Sequence, residues 1–219
     1  MPFIRNLNHL EMAEQVSLII DQHPEMIEDK FQITFMGSGE PLNNFKNADK
    51  AARYFFNNYM ALEKINISTI LPYIDYKLFD IDYYRNHLHL QYSLHFSSDE
   101  KRNKYFNADL PSISGSIRFI NDTSNELCDV AAINYMLIEG ENDSVEDAYR
   151  VIDLLNTNRH VYLKISEMSN IKNSNLVKSR NTQPFIEIIR DSGLRFEMFQ
   201  SMGTDVNAGC GQFYNESIQ

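Results

Sequence analysis

The sequence predicts an α/β chain, a partial (βα) barrel of the TIM type that starts one strand late. Three observations predict it. Runs rich in β-branched and aromatic residues alternate with amphipathic segments, the order of parallel strands joined by helical crossovers. Polar, glycine-bearing motifs recur at the C-terminal ends of those runs, where barrel sites lie, which favours a barrel over a doubly wound sheet. The first regular segment, His9 to Gln22, is helical with no strand before it, whereas a βα barrel opens with a strand.

The elements follow in order. Phe31 to Met36 is a strand ending in a glycine loop. Ala48 to Met60 is a helix, with Ala51, Ala52, Phe55, Phe56 and Tyr59 on one side. Ile65 to Ile70 is a strand, Tyr76 to Tyr84 a short helix and Leu88 to Phe96 a strand. Ser116 to Leu127 is a helix and Val130 to Ile138 a strand. Ser144 caps the next helix, with Asp147 three residues on, and that helix runs to about Asn156. Val161 to Ile165 is a strand, Gln183 to Ser192 a helix closed by Gly193, and Leu194 to Phe199 the last strand. The Asn/Ser/Lys-rich stretch Ser169 to Thr182 reads as a mobile loop or lid.

Bulk properties bound the function. The 219 residues fit one domain, 1–219, and 43% hydrophobic content is ample for its core. A formal net charge of −10 disfavours strong binding to a phosphate backbone by this chain alone. No apolar run approaches about 18 residues, so neither a transmembrane helix nor a membrane partner is expected. Met1-Pro2-Phe3-Ile4-Arg5-Asn6 lacks the charged and apolar regions of a signal peptide. Cys128 and Cys210 are the only cysteines, which argues against a disulfide scaffold and for a cytoplasmic location.

Two loops carry most of the chemical information. In Ser201-Met202-Gly203-Thr204-Asp205-Val206-Asn207-Ala208-Gly209-Cys210-Gly211-Gln212-Phe213, glycines flank a thiol just after the last strand-like run. Glycine admits positive φ and lets that thiol approach another molecule; the plain alternative is a solvated loop cysteine. In Phe35-Met36-Gly37-Ser38-Gly39-Glu40-Pro41-Leu42-Asn43, a carboxylate follows the first strand; alternatively it caps a helix or faces water. His95 closes a strand, where a lone histidine is usually structural. His87 and His89 alternate on one strand face with no third ligand placed nearby, and are expected to be ordinary strand-edge residues. The acidic run Glu139 to Glu146 is expected to be a solvated turn and helix start, suited to the helix dipole. Lys172, Lys178 and Arg180 form the one locally basic loop, expected to be solvated. Cys128 leads into a strand and is expected to be a buried structural thiol.

The stretch Phe35 to Asn43, with its Gly-Glu-Pro after a strand, resembles the adenine C2 and C8 ribosomal-RNA methyltransferases of the radical S-adenosylmethionine superfamily. Ser68-Thr69, Ser93-Leu94-His95, Tyr135 to Ser144 and the Asp205 to Gln212 loop match in the same order. The resemblance runs from Arg5-Asn6-Leu7 almost to the end. It implies a barrel of the radical S-adenosylmethionine type and methylation of adenine in ribosomal or transfer RNA. It implies S-adenosylmethionine, a 4Fe–4S cluster and an electron donor as cofactors and partners. Gly39 would let the backbone approach the cofactor, and Glu40 would accept hydrogen bonds from its α-ammonium. Ser68, Ser93, Leu94 and His95 would line its carboxylate, ribose or adenine. Cys210 would be the methyl-carrying cysteine. In the family scheme its thiolate takes a methyl from one cofactor molecule by displacement. A second molecule is cleaved reductively to a deoxyadenosyl radical, which takes a hydrogen from the methylated cysteine. The carbon radical adds to adenine, and another cysteine resolves the adduct as a disulfide.

The chain also departs from that pattern. The CxxxCxxC loop that holds the cluster is absent, as is the resolving cysteine that precedes it. In the family, that loop ends a few residues before the segment matching Pro2 to Leu7, so the expectation is an N-terminally truncated barrel lacking its first strand, cluster loop and RNA-binding region. The family asparagine after the sixth strand has more than one match around Ser166 to Asn170, Asn170 among them. Two readings therefore stand: an RNA methyltransferase domain, or a truncated, non-catalytic module that binds cofactor or, through an open sheet edge, another protein.

Overall fold

The computed structural model of the chain describes residues 4–37, 39–168 and 176–199. Six strands form one sheet: β1 (Phe31–Phe35), β2 (Leu62–Thr69), β3 (Leu88–Ser93), β4 (Ala131–Leu137), β5 (Val161–Glu167) and β6 (Phe196–Phe199). Every neighbouring pair is parallel, and the spatial order is the chain order. That order, without a reversal point, is barrel topology rather than a doubly wound sheet.

Helices make each crossover. α1 (His9–Gln22) precedes the sheet and α2 (Phe45–Asn58) links β1 to β2. The short α3 (Ile81–Tyr84) precedes β3, and α4 (Asp99–Phe106) and α5 (Ile113–Glu126) lead to β4. α6 (Val145–Leu155) and α7 (Thr182–Asp191) complete the last two crossovers. The sequence signals act as expected at the ends. Asn8 and Glu11 form a capping box on α1, Ser144 and Asp147 form one on α6, and Gly193 turns the chain after α7 at φ 74°. α2 buries Ala48, Ala51, Ala52 and Phe55, the spacing of one helical face.

Strand parity separates two faces. Ile65 and Ile67, Leu88 and Leu90, Ile133 and Tyr135, and Leu163 and Ile165 enter the main core under the helices. Tyr135 stacks on Phe185 of α7 with ring centroids 5.6 Å apart. The alternate residues line the concave face and are largely polar: Gln32, Thr34, Lys64, Asn66, His89, Gln91 and Lys164 border a cavity of about 820 Å³ there. The polar lumen follows from period-2 alternation, each strand giving its apolar side to the helices.

The sequence reading needs four corrections in the fold. α4 has no apolar period and went unrecognised; its charged sequence is held by the Ser98 cap and by Asn107 in a left-handed conformation, φ 49°. Helix at Tyr76 to Tyr84 shrinks to α3, which starts only where Asp80 caps it. β3 stops at Ser93, because His95 takes φ 52° and turns the chain off the ladder. His89 lies on an interior strand rather than at an edge, its Nδ1 2.7 Å from Asp129. No helix among the described residues is long and apolar enough to cross a membrane.

Candidate cofactor site

The expected site residues that the structure describes gather at the C-terminal ends of β1, β2 and β3. After β1 the chain turns through Gly39, at φ 105°, and a Cβ there would meet nothing within 4 Å. The glycine is thus required by conformation and leaves open space beside the backbone. Glu40 follows, half-buried. Its Oε1 accepts from the Leu42 N–H at 3.0 Å and the Thr69 hydroxyl at 2.7 Å, and its Oε2 accepts from the Ile70 N–H at 2.9 Å. The contact to Leu42 caps a short 3-10 turn, Pro41–Asn44, so the helix-cap alternative is partly met. A carboxylate offers about four lone-pair directions, so three bonds fix its orientation and leave acceptor capacity for a ligand.

At the end of β2, Ser68 and Thr69 face opposite sides. Ser68 looks into the lumen, where its Oγ accepts from Gln91 Nε2 at 3.3 Å. Thr69 is buried behind Glu40 and its Oγ1 also accepts from the Leu71 N–H at 2.8 Å. The resemblance pointed to Ser68; parity shows that Thr69 is the residue that touches Glu40. Leu71 itself sits at φ 54°, a conformation disfavoured for a branched side chain.

At the end of β3, Ser93 lies on the lumen face in register with Asn134. Leu94 sends its side chain wholly into the main core, so it offers a ligand only its backbone. His95 follows. Its Nδ1 accepts from the Met136 N–H at 3.1 Å, which places the ring proton on Nε2 as a free donor. Burial, with the like charge of Arg102 second, pushes the imidazole down to about 4, so the ring is neutral at pH 7.

The β4 loop holds His95 in place. Asn142, 1% exposed, donates to the His95 carbonyl at 2.5 Å and the Met136 carbonyl at 2.7 Å, and accepts from the Ile138 N–H at 2.7 Å. Asp143 accepts from the Gly140 N–H, the Ser179 hydroxyl and Asn181. The run Glu139 to Glu146 is mostly solvated, as expected, with Gly140, Glu141, Val145 and Glu146 exposed; within it Asn142 and Asp143 are buried, as is Asp147 just beyond it. For Asp147, burial favours the neutral acid, but bonds from Ser97, Ser144 and Arg150 outweigh it and hold the carboxyl below its usual range. In the described half of the expected lid Lys178 and Arg180 are exposed, as expected, though several contacts tie the segment to the β4 and β5 ends. Ser179 is buried, Lys178 pairs with Glu167 at 2.7 Å, and Arg180 N–H donates to Glu139.

Cys128 differs from expectation. It is exposed, at φ 57°, and lines the lumen at the N-terminal ends of the strands, opposite the Glu40 end. Its left-handed turn swings the thiol away from the core. Cys210, with the whole Ser201 to Phe213 loop, lies outside the described residues, as do Asn170 and Lys172. Among the described residues no cluster of His, Cys, Asp and Glu forms a metal site.

No protein-family model matches the chain. A probable dual-specificity RNA methyltransferase RlmN from Clostridium botulinum strain Alaska E43 is 31% identical over 232 aligned positions, covering 99% of this chain and 62% of that protein. The dual-specificity RNA methyltransferase RlmN of Campylobacter hominis is 26% identical over 99% of this chain and 62% of its own length. The chain is thus similar over nearly its whole length to these RlmN methyltransferases. It spans about 62% of the length of these RlmN relatives. A radical SAM methyltransferase from Sphaerobacter thermophilus superposes with a TM-score of 0.78 at 24% identity, over 97% of this chain and 63% of that one. Streptococcus suis SuiB bound to S-adenosylmethionine superposes at 0.63 with 13% identity, over 92% of this chain and 46% of that one. The chain thus shares the partial-barrel fold of these structures.

Proposed function

We propose that the chain is the S-adenosylmethionine-binding part of an RlmN-like methyltransferase that modifies adenine in RNA. The observation that carries this reading is Glu40: a carboxylate fixed by Leu42, Thr69 and Ile70, beside an exposed glycine turn, after the C-terminal end of β1. S-adenosylmethionine, when bound, supplies an electrophilic methyl group. Glu40 accepts from its α-ammonium, a charge-assisted contact. Gly39 lets the backbone close on it. Ser68 and Ser93 present hydroxyls from the lumen face, Leu94 its backbone, and His95 a neutral Nε2–H donor that does not repel a sulfonium. By homology, Cys210 is the methyl acceptor and Asn170 a further cofactor contact. RNA as substrate rests on the RlmN relatives; the charge of −10 argues that phosphate contacts come from elsewhere.

The residues present do not fit a 4Fe–4S cluster. The chain has two cysteines, and Cys128 lies at the far end of the strands from Glu40. The second reading is that these residues bind cofactor without radical chemistry of their own. Thermal unfolding separates these from an inert fold. S-adenosylmethionine at a hundred times its Kd stabilises a binding protein by about 2.7 kcal/mol, and the Glu40→Ala variant loses that shift. No shift in the wild-type chain contradicts both readings. A shift that the Glu40→Ala variant retains contradicts the placing of the α-ammonium on Glu40.

A further inference from the structure

Arg102 on α4 is the largest fully buried side chain among the described residues. Its two hydrogen-bond partners are carbonyls: Nη2 donates to Ile70 O at 2.6 Å and Nη1 to Pro111 O at 2.9 Å, while Nε has no partner. It makes no ion pair with a described carboxylate. Asp99, one turn back on α4, acts on it only at a distance and spends Oδ1 on the Ile113 N–H. The guanidinium also lies 5.2 Å from the centre of the Tyr92 ring. A buried cation without a counter-ion is costly, and space alone would be filled better by an apolar side chain.

We propose that Arg102 is a positioning residue of the Glu40 site, holding the Ile70–Leu71 peptide so that its N–H stays on Thr69 Oγ1 and the adjoining Ile70 N–H faces the Glu40 carboxylate. The proposal rests on the reading of Glu40 as the cofactor contact. The connection is direct. The Ile70–Leu71 peptide meets Arg102 through its carbonyl, and the preceding peptide, through the Ile70 N–H, meets Glu40 Oε2 at 2.9 Å. The next residue, Leu71, is the one at φ 54°, its N–H on the Thr69 hydroxyl oxygen, whose own proton goes to Glu40 Oε1. The loop after β2 is thus a left-handed kink wrapped around one carboxylate, with the guanidinium fastened to its back. A planar fork can hold the Ile70 and Pro111 carbonyls together; a lysine ammonium is a point donor on a flexible stem. A cationic donor on a carbonyl also polarises the hydrogen-bonded chain beyond it. The unfavourable backbone at Leu71 persists because its surroundings over-determine it.

Amide hydrogen exchange of the whole chain, with Arg102→Met and Arg102→Lys, tests this. Exchange at Ile70 and Leu71 is expected to speed up about tenfold or more in the methionine variant, with Ala148 in α6 unchanged. The lysine variant is expected to fall between, and it carries the same comparison where the methionine variant does not fold. S-adenosylmethionine affinity is expected to fall about tenfold in parallel. Equal acceleration at Ile70 and Ala148 would show a merely structural role and overturn the proposal. So would unchanged exchange at Ile70, or local loosening with unchanged affinity. A wild-type chain that binds no S-adenosylmethionine sinks the functional reading, and the exchange pattern then decides the role of Arg102 by itself.

Discussion

Replacing Asn142 by leucine removes the centre of the bracket behind His95. The two side chains share the same branched heavy-atom skeleton, so the change is chiefly one of hydrogen bonding. Three backbone groups lose their partner: the His95 and Met136 carbonyls and the Ile138 N–H. Asn142 is 1% exposed, so water does not replace it without rearrangement. An orphaned buried polar group costs about 1–3 kcal/mol; taking about 1–1.7 kcal/mol for each gives about 3–5 kcal/mol for three. Leucine returns about 1 kcal/mol through added apolar contact. The expected loss is about 2–4 kcal/mol, read from urea unfolding followed by circular dichroism at an unchanged m value. For a domain of this size that lowers Tm by roughly 5–12 °C. A loss below about 1 kcal/mol at constant m would refute the bracket as described.

Three further outcomes follow from other parts of the structure. The folded His95 ring resists protonation down to about 4 against 6.5 for the ordinary group. The unfolded chain therefore takes up this proton first, and stability falls as pH drops from about 6.5 towards 4, by up to about 3 kcal/mol. Unfolding free energies of wild type and His95→Asn, compared between pH 7 and pH 4, should show that difference; parallel pH profiles would contradict it. The exposed Cys128 should react with a thiol reagent in the native protein, and a Cys128→Ser variant should remove that reaction without changing Cys210 labelling under denaturant. Protection of Cys128 until unfolding would place it in the core after all. Ser179→Ala removes the hydroxyl that bonds Asp143 and should cost about 1–2 kcal/mol while speeding proteolysis near Lys178. Unchanged cleavage there would mean that other contacts pin the segment.

Much of the architecture was legible because its signals are local. Period-2 apolar runs gave all six strands within a few residues, and Ser144-Val145-Glu146-Asp147 announced a capping box that the structure contains. What stayed hidden depends on long-range partners. α4 shows no apolar stripe because its one buried side chain is Arg102, a residue that composition assigns to the surface. Ser68-Thr69 is a pair whose two hydroxyls go to opposite faces, and only strand parity shows that it is Thr69 that reaches Glu40. The acidic letters of Glu139 to Glu146 suggested solvent; Asn142 and Asp143 turn inward because unpaired backbone groups of the β3 and β4 loops need them. Cys128 looked like core before a strand, and a single positive φ put it outside.

The central claim is that Glu40, held by the β2 loop, receives the ammonium group of S-adenosylmethionine. Calorimetric titration of the cofactor into wild-type chain and into Glu40→Gln tests it most directly. Glutamine keeps the shape and an acceptor oxygen but loses the charge. The account predicts saturable binding by wild type, weakened about tenfold or more in Glu40→Gln, the loss of one charge-assisted bond. Equal affinity in the two proteins, or no binding in either, would contradict it.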